Sequence, residues 1–209
     1  MKKILNIVSS ANGKASLSRK LSDVIIEKLV STYPGSSVYT HDLALKPYPH
    51  LEEVHITSFY TPEEVRTEEN KQALKNSDQA IKEVMEADII VIAAPLYNFS
   101  VPSTLKAWID HIVRGGVTFK YTNGLPEGLV LNKKVYLSIS SGGVYSEGPM
   151  KAYDFSEPYL RAVLGFIGMK DLEVFRVEGT NIPDLKNTAL EKAIDSVNAH
   201  AFDAVVAQV

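Results

Sequence analysis

One uninterrupted apolar run limits what this chain can fold into. Residues 88–94 begin with Asp88 and continue Ile-Ile-Val-Ile-Ala-Ala, with no polar residue after the first. A surface helix repeats its apolar residues every three or four positions, whereas a short continuous run is typical of a strand buried on both faces. Such strands occur in parallel sheets that helices cover on both sides. The run therefore predicts an α/β protein.

The rest of the chain alternates strand patterns with helix patterns. Strands are predicted at residues 4–9, 37–41, 88–94, 134–140 and 172–177. Helices are predicted at residues 18–29, with Ser18 as the cap, and at 70–86, 104–114, 157–167 and 185–206. Five such alternations predict a doubly wound sheet, and the absence of a linker or an internal repeat predicts one domain over residues 1–209.

The stretch between the second strand and the second helix has no regular pattern. Residues 43–68 contain Pro47, Pro49 and Pro62 and exceed the usual length of a connection. We predict an irregular insertion there.

Composition excludes several classes of function. A net charge of −3 and a pI near 6.0 disfavour a nucleic-acid binder, which needs a basic surface. The chain has no cysteine, so thiol catalysis and disulfide chemistry are excluded, and any redox work needs a bound cofactor. The N-terminus lacks a signal sequence and no stretch reaches the ~20 apolar residues of a membrane span, so we expect a cytoplasmic protein without membrane attachment.

Three loops at predicted strand ends carry candidate ligand-binding residues. In an open α/β sheet, ligands bind beyond the carboxyl ends of the strands. The loop at residues 9–19 is rich in serine and enters a helix, which is typical of a phosphate site, although serines that only cap the helix would give the same pattern. It matches neither GxGxxG nor GxxxxGK[ST], which disfavours the common dinucleotide and triphosphate sites.

The other two loops favour a planar ligand. Residues 94–106 place Tyr97, Asn98 and Phe99 between two prolines, which offers flat aromatic surfaces and an amide on a stiffened backbone. Residues 140–145 contain paired glycines, which allow a ligand to approach the backbone closely. Taken alone, this third loop is also an ordinary turn.

Histidines and Trp108 offer weaker signals. His50 and His55 are five residues apart, which misses the helical spacing of a metal pair, and no HExxH or GxSxG motif occurs. We therefore predict no metal site. Trp108 has apolar neighbours at helical spacing, so packing in the core explains this residue at least as well as stacking on a ligand does.

Several motifs together resemble the FMN-dependent NADH azoreductase and NAD(P)H quinone oxidoreductase family. They are Ser16-Leu17-Ser18, Pro95-Leu96-Tyr97-Asn98-Phe99, Leu105-Lys106-Ala107-Trp108-Ile109-Asp110, Gly115-Gly116-Val117-Thr118-Phe119-Lys120-Tyr121, Ser140-Ser141-Gly142-Gly143 and Gly165-Phe166-Ile167-Gly168. The similarity runs essentially from end to end. It implies a flavodoxin-like fold with a five-stranded parallel sheet in the order 2-1-3-4-5, helices on both faces, and a homodimer.

The resemblance also implies roles for particular residues. The residues implied to bind FMN are Ser10, Ser16, Leu17, Ser18, Pro95, Leu96, Tyr97, Asn98, Phe99, Ser140, Ser141, Gly142 and Gly143. Phe119, Tyr121 and Tyr145 are implied contacts of the substrate, and Phe119 and Tyr121 are expected to reach the flavin of a partner subunit. Many relatives have Arg in place of Ser141, and some have His in place of Tyr145.

The activity that the resemblance implies is two-electron reduction. NADH or NADPH would reduce the flavin and leave, and a quinone or an aromatic azo compound would then be reduced in the same place, with no obligatory acid or base from the protein. Three alternatives stay open. They are an NADPH-dependent FMN reductase or nitroreductase, a flavodoxin-type electron carrier, and a nucleotide-sensing domain without a redox role.

Overall fold

A parallel sheet forms the centre of the protein, which a computed structural model describes over residues 1–202. In these residues its strands are β1 (Lys3–Val8), β2 (Ser37–Asp42), β3 (Ile89–Pro95), β6 (Lys134–Ser140) and β7 (Asp171–Val177), in the order β2-β1-β3-β6-β7. Two short strands, β4 (Phe119–Thr122) and β5 (Leu125–Gly128), pair outside this sheet. The five parallel strands taken alone therefore follow the predicted order 2-1-3-4-5.

Helices connect the strands over the same residues. They are α1 (Leu17–Thr32), α2 (Glu53–Tyr60), α3 (Glu68–Glu86), α4 (Ser103–Ile112), α5 (Glu157–Phe166) and α6 (Ala189–Ala199). The last helix is shorter than the predicted 185–206, and residues 203–206 of that prediction lie outside the described residues. None of the helices found in residues 1–202 is long and apolar enough to cross a membrane.

The central strand β3 is buried on both faces, as its apolar run predicts. Ile89 and Val91 belong to a cluster with apolar residues of α1 and α6. Ile90 and Ile92, which point to the other face, belong to a second cluster with residues of α3, α4 and α5. Because successive side chains of a strand alternate in direction, one run of four residues joins both cores.

The prediction that residues 43–68 are irregular is wrong. The helix α2 lies within them, and its first turn is closed by a capping box in which Glu52 and His55 bond each other's backbone amides. His55 is buried, and the ring of Phe59 lies 5.7 Å from the guanidinium carbon of Arg114. The prolines on either side of this short helix suggested a loop, but they lie outside the helix and do not interrupt it.

The hairpin of β4 and β5 was not predicted, although the sequence contains its signal. Asn123 and Gly124 connect the two strands with φ of 53° and 79°. Two consecutive positive φ angles characterise the tight hairpin turn for which Asn-Gly is the preferred dipeptide. In the chain the hairpin lies between α4 and β6; its Tyr121 is exposed, whereas Phe119 is partly buried against the core.

A close approach of two backbones fixes the base of this hairpin. A Cβ atom on Gly128 would lie 2.2 Å from the amide nitrogen of Gly168, and Gly168 itself has a φ of 111°. Nearby, the amide of Val130 donates to the carbonyl of Ile167 over 2.8 Å. The end of the hairpin therefore packs directly against the backbone of the motif Gly165-Phe166-Ile167-Gly168.

Replacing Gly128 by Ala should destabilise the protein by roughly 1–3 kcal/mol, because backbone rather than a flexible side chain must move. Gly165→Ala is the matched control, since Gly165 lies in α5 and its Cβ would meet nothing within 4 Å. That control should be neutral or more stable by up to ~1 kcal/mol. Urea unfolding measures both, and equal stabilities of the two variants would contradict the close approach.

Candidate functional site

The carboxyl ends of β1, β3 and β6 meet at one edge of the sheet. Val8 lies opposite Ala93, and Pro95 lies opposite Ser140, so the three following loops begin side by side. They enclose a cavity of about 360 Å³. Its lining consists of Ser10, Asn12, Ala15, Ser16, Leu17, Pro95, Leu96, Tyr97, Ser140, Ser141, Gly142, Thr180 and Asn181.

The first loop brings two buried serines to the start of α1. Ser16, rather than the predicted Ser18, is the cap of this helix, because its Oγ accepts from the amide of Arg19 over 3.3 Å. The hydroxyls of Ser16 and Ser18 are 3.0 Å apart. The guanidinium of Arg19 is engaged elsewhere, 2.6 Å from Asp42. This end of the cavity therefore offers hydroxyls and the amides of a helix N-terminus.

The second loop is a tight turn in an unusual backbone conformation. Tyr97 and Ser100 exchange two backbone hydrogen bonds of 2.9 and 3.0 Å around Asn98 and Phe99, whose φ angles are 48° and 71°. Asn tolerates this left-handed region, whereas for Phe it costs roughly 1–2 kcal/mol. The hydroxyl of Tyr97 lies 3.2 Å from the Oγ of Ser10, which joins this loop to the first.

The third loop pairs with a segment that follows β7. The backbone amide of Asn181 donates to the carbonyl of Gly142 over 2.9 Å. The hydroxyl of Thr180 donates to the carbonyl of Ser141 over 3.1 Å. A Cβ on Gly142 would lie 2.5 Å from Nδ2 of Asn181, so glycine permits this approach. Thr180 and Asn181 were not predicted from the sequence, although ligands bind beyond the carboxyl ends of strands and both residues follow β7.

The cavity is neutral. None of the described residues that line it carries a formal charge, and its polar groups are hydroxyls, amides and backbone. An anion would therefore be bound by helix-terminal N–H groups and hydroxyls rather than by ion pairs.

Comparisons with known proteins agree with this geometry. The chain matches a family model described as a flavodoxin-like fold over residues 2–201. It is 47% identical over 199 residues to the FMN-dependent NADH:quinone oxidoreductase of Herminiimonas arsenicoxydans, an overlap of 95% of this chain and 98% of that relative. The chain belongs to the FMN-dependent NADH:quinone oxidoreductase family. The resemblance noted from its motifs is thus confirmed.

Two further members and neighbours of the oxidoreductase family support the assignment. The FMN-dependent NADH:quinone oxidoreductase of Beijerinckia indica subsp. indica is 45% identical over 197 residues, which cover 94% of this chain and 98% of the relative. The crystal structure of an azoreductase from Bacillus anthracis str. Sterne aligns with a TM-score of 0.85 and 31% identity. That alignment covers 96% of this chain and all of the azoreductase chain.

The cofactor residues predicted for this oxidoreductase family member fall into two groups. Most of them line the cavity, whereas Ser18, Asn98, Phe99 and Gly143 lie beside it. Asn98 instead borders a neighbouring cavity of about 480 Å³ on the other side of Tyr97. The assignment of all these residues to a cofactor stays a prediction.

The predicted substrate residues are not together. Tyr145 lies near the turn, with its ring centroid 6.3 Å from that of Phe99, and Tyr153 packs on Phe99 at 5.6 Å. Phe119 instead packs against Phe166 at 4.6 Å, and Tyr121 is 66% exposed on the hairpin. Within one chain, neither hairpin residue lines the cavity.

The structure gives simple roles to the residues with weaker signals. Trp108 is fully buried in the core between α4 and the sheet. His55 accepts a hydrogen bond from the amide of Glu52, and its ring contacts that of His111, whose pKa is lowered by burial. Within residues 1–202 no cluster of side chains suited to a metal ion was found.

The left-handed conformation of Phe99 predicts an unusual order of stabilities. Phe99→Gly should give a protein about 0.5–1 kcal/mol more stable than Phe99→Ala, because both lose the ring and glycine alone relieves the backbone strain. Phe155 is exposed and has no positive φ, so Phe155→Ala should be at least as stable as Phe155→Gly. Urea unfolding of the four variants tests this, and an Ala variant at position 99 as stable as the Gly variant would refute the strain.

Proposed function

We propose that this protein is an FMN-dependent NADH:quinone oxidoreductase that reduces quinones to hydroquinones and cleaves aromatic azo bonds. The observation that carries the proposal is the neutral cavity at the carboxyl ends of β1, β3 and β6, in a chain whose relatives carry that name. The structural neighbour with 31% identity is an azoreductase. Membership of the family disfavours the electron-carrier and nucleotide-sensing alternatives.

The residues around the cavity fit FMN. Ser16, Leu17 and Ser18 lie at the N-terminus of α1. The first backbone amides of a helix have no carbonyl partner within that helix, so these amides are suited to bind a phosphate. The pairing of β3 with β6 sets the distance between two backbone segments, Pro95 to Tyr97 and Ser140 to Gly142. These segments are suited to contact the edges of a planar ring. Thr180 and Asn181 add polar groups at the same rim.

Bound FMN would supply the redox chemistry, which is the transfer of two electrons from reduced nicotinamide to the acceptor. One such transfer reduces a quinone to a hydroquinone, whereas cleavage of an azo bond to two amines needs two successive transfers and therefore two molecules of NADH. The protein's own residues bind, orient and exclude water. Tyr97 and Ser10 hold two cavity loops together, and the rings of Phe99, Tyr145 and Tyr153, which are inclined to one another, form an aromatic cluster beside them. We assign no protein side chain as an obligatory acid or base.

We further propose a homodimer in which the hairpin of β4 and β5 reaches the cavity of the partner subunit. Phe119 and Tyr121 do not line the cavity of their own chain, and Tyr121 and Leu125 expose large apolar surfaces on the hairpin. A partner would bury these surfaces while completing the acceptor site. We regard residues 1–209 as one domain, and a cytoplasmic location stays a prediction.

Purified protein should be yellow, release FMN on heating, and oxidise NADH when menadione or an azo dye is supplied. Double-reciprocal plots at several quinone concentrations should be parallel, because nicotinamide and quinone would occupy the same place in turn. Free FMN as acceptor and NADPH as donor are the comparison reactions, and a clear preference for them would favour the FMN reductase alternative. Release of FAD, or NADH oxidation that no quinone accelerates, would reject the proposal.

Replacing Ser16 and Ser18 together by Ala should weaken FMN binding tens-fold, since each hydrogen bond to a charged group contributes roughly 1.5–3 kcal/mol. Loss of the Ser16 cap should also lower stability by about 0.5–2 kcal/mol. Ser22→Ala is the control, because Ser22 is buried in the same helix but its hydroxyl donates to the carbonyl of Arg19 and it does not line the cavity. FMN titration monitored by fluorescence measures affinity. A folded double variant that binds FMN as wild type does would leave these serines as helix caps alone.

A further inference from the structure

A charged cluster centred on Arg176 lies beside the candidate site and is used by none of the functions assigned above. Arg176 is the penultimate residue of β7, and its guanidinium contacts Asp154 at 2.5 Å and Glu178 at 3.4 Å. It also contacts Glu157, which Arg161 approaches from the other side at 2.7 Å. Three carboxylates thus meet at one arginine side chain that is 13% exposed.

The first contact of this cluster holds the start of the loop between β6 and α5, which spans residues 141–156. Oε1 of Glu178 accepts from the amides of Tyr145 and Ser146 over 2.7 and 2.9 Å. Oε2 of the same carboxylate accepts from the hydroxyl of Ser146 over 2.5 Å. The backbone that carries Tyr145 is therefore bound to Glu178, and Glu178 to Arg176.

The second contact holds the end of the same loop. Oδ1 of Asp154 accepts from the amides of Ser156 and Glu157 over 2.8 and 3.1 Å, while its other oxygen faces Arg176. Between them, the amide of Phe155 donates to the carbonyl of Phe99 over 3.0 Å. The end of the loop is thereby tied to the strained turn beside the cavity.

The position of this cluster favours a geometric role. Partly buried ion pairs contribute little net stability, because desolvation offsets much of their attraction, but they do fix the relative positions of the groups that they join. A planar guanidinium can bond carboxylates in several directions at once, which a lysine ammonium on a flexible chain does less well. Arg176 is placed to bond both ends of one 16-residue loop, residues 141–156.

We propose that Arg176 is a positioning residue that sets the distance between Tyr145 and the Phe99–Tyr153 pair, and thereby the size of acceptor that the site accepts. The proposal rests on the proposed oxidoreductase function. Arg176 does not line the cavity itself, so it acts through Glu178 and Asp154. Ser141 and Gly142, the part of this loop proposed to bind FMN, are bonded instead by Thr180 and Asn181, and the serine loop at α1 is also bonded separately. FMN binding should therefore be spared.

Amide hydrogen exchange of the full-length protein as purified tests the link without any measurement of turnover. Arg176→Gln should speed exchange about tenfold or more both at Tyr145 and Ser146 and at Phe155 to Glu157. The carboxylate variants separate the two ends, since Glu178→Gln should affect only the first pair and Asp154→Asn only the second segment. Arg161→Gln, which removes an exposed partner of Glu157, is the control and should affect neither. Exchange unchanged in Arg176→Gln would overturn the proposal.

Steady-state kinetics then tests the consequence for specificity. Arg176→Gln and Arg176→Lys should raise the KM for the bulky azo dye methyl red about tenfold, with kcat and the KM for benzoquinone within about threefold of wild type. FMN affinity should be unchanged in both variants and in Arg161→Gln. Equal changes for the two acceptors, or full recovery by lysine, would show that charge or stability rather than positioning is involved. A wild type inactive with every quinone would instead refute the proposed function, while leaving the exchange result valid.

Discussion

The parallel pairing of β3 between β1 and β6 is the constraint on which the site depends. Because all three strands run in the same direction, their loops leave the sheet at one edge. The pairing continues past the end of β3, where the amide of Leu96 donates to the carbonyl of Ser140 over 2.8 Å. Side-chain bonds such as that between Ser9 Oγ and the carbonyl of Ala93 extend it on the other side. The register of the strands thus determines the position of the cavity, and the side chains determine only what lines it.

Much of the fold was predictable because β3 must be buried on both faces. The apolar run 88–94 predicted a central parallel strand, and the structure places that strand at Ile89–Pro95. The helix α2 was missed because its sequence has a weak apolar pattern and its capping box involves Glu52 and His55, an uncommon pair. The hairpin was missed for a different reason, since its Asn-Gly turn was present in the sequence but its strands are too short and exposed to alternate visibly.

The site was predictable where a loop begins directly at a strand end. Ser10, Ser16, Tyr97 and Ser141 indeed border one cavity. Thr180 and Asn181 were missed because they carry no aromatic or paired-glycine signal and reach the cavity only by pairing with the third loop. Sequence could not reveal the Arg176 cluster either, because Asp154 and Glu157 become neighbours of Arg176 only in the folded chain.

The absence of charge among the described residues that line the cavity has a consequence for how such a protein can diverge. Binding through backbone amides and serine hydroxyls depends on the path of the chain and hardly on the surrounding surface charge. Lysines and carboxylates elsewhere on the surface can therefore be exchanged without rebuilding the binding edge. Changes in solubility, isoelectric point or surface partners are then separable from changes in the site, and selection can act on each independently.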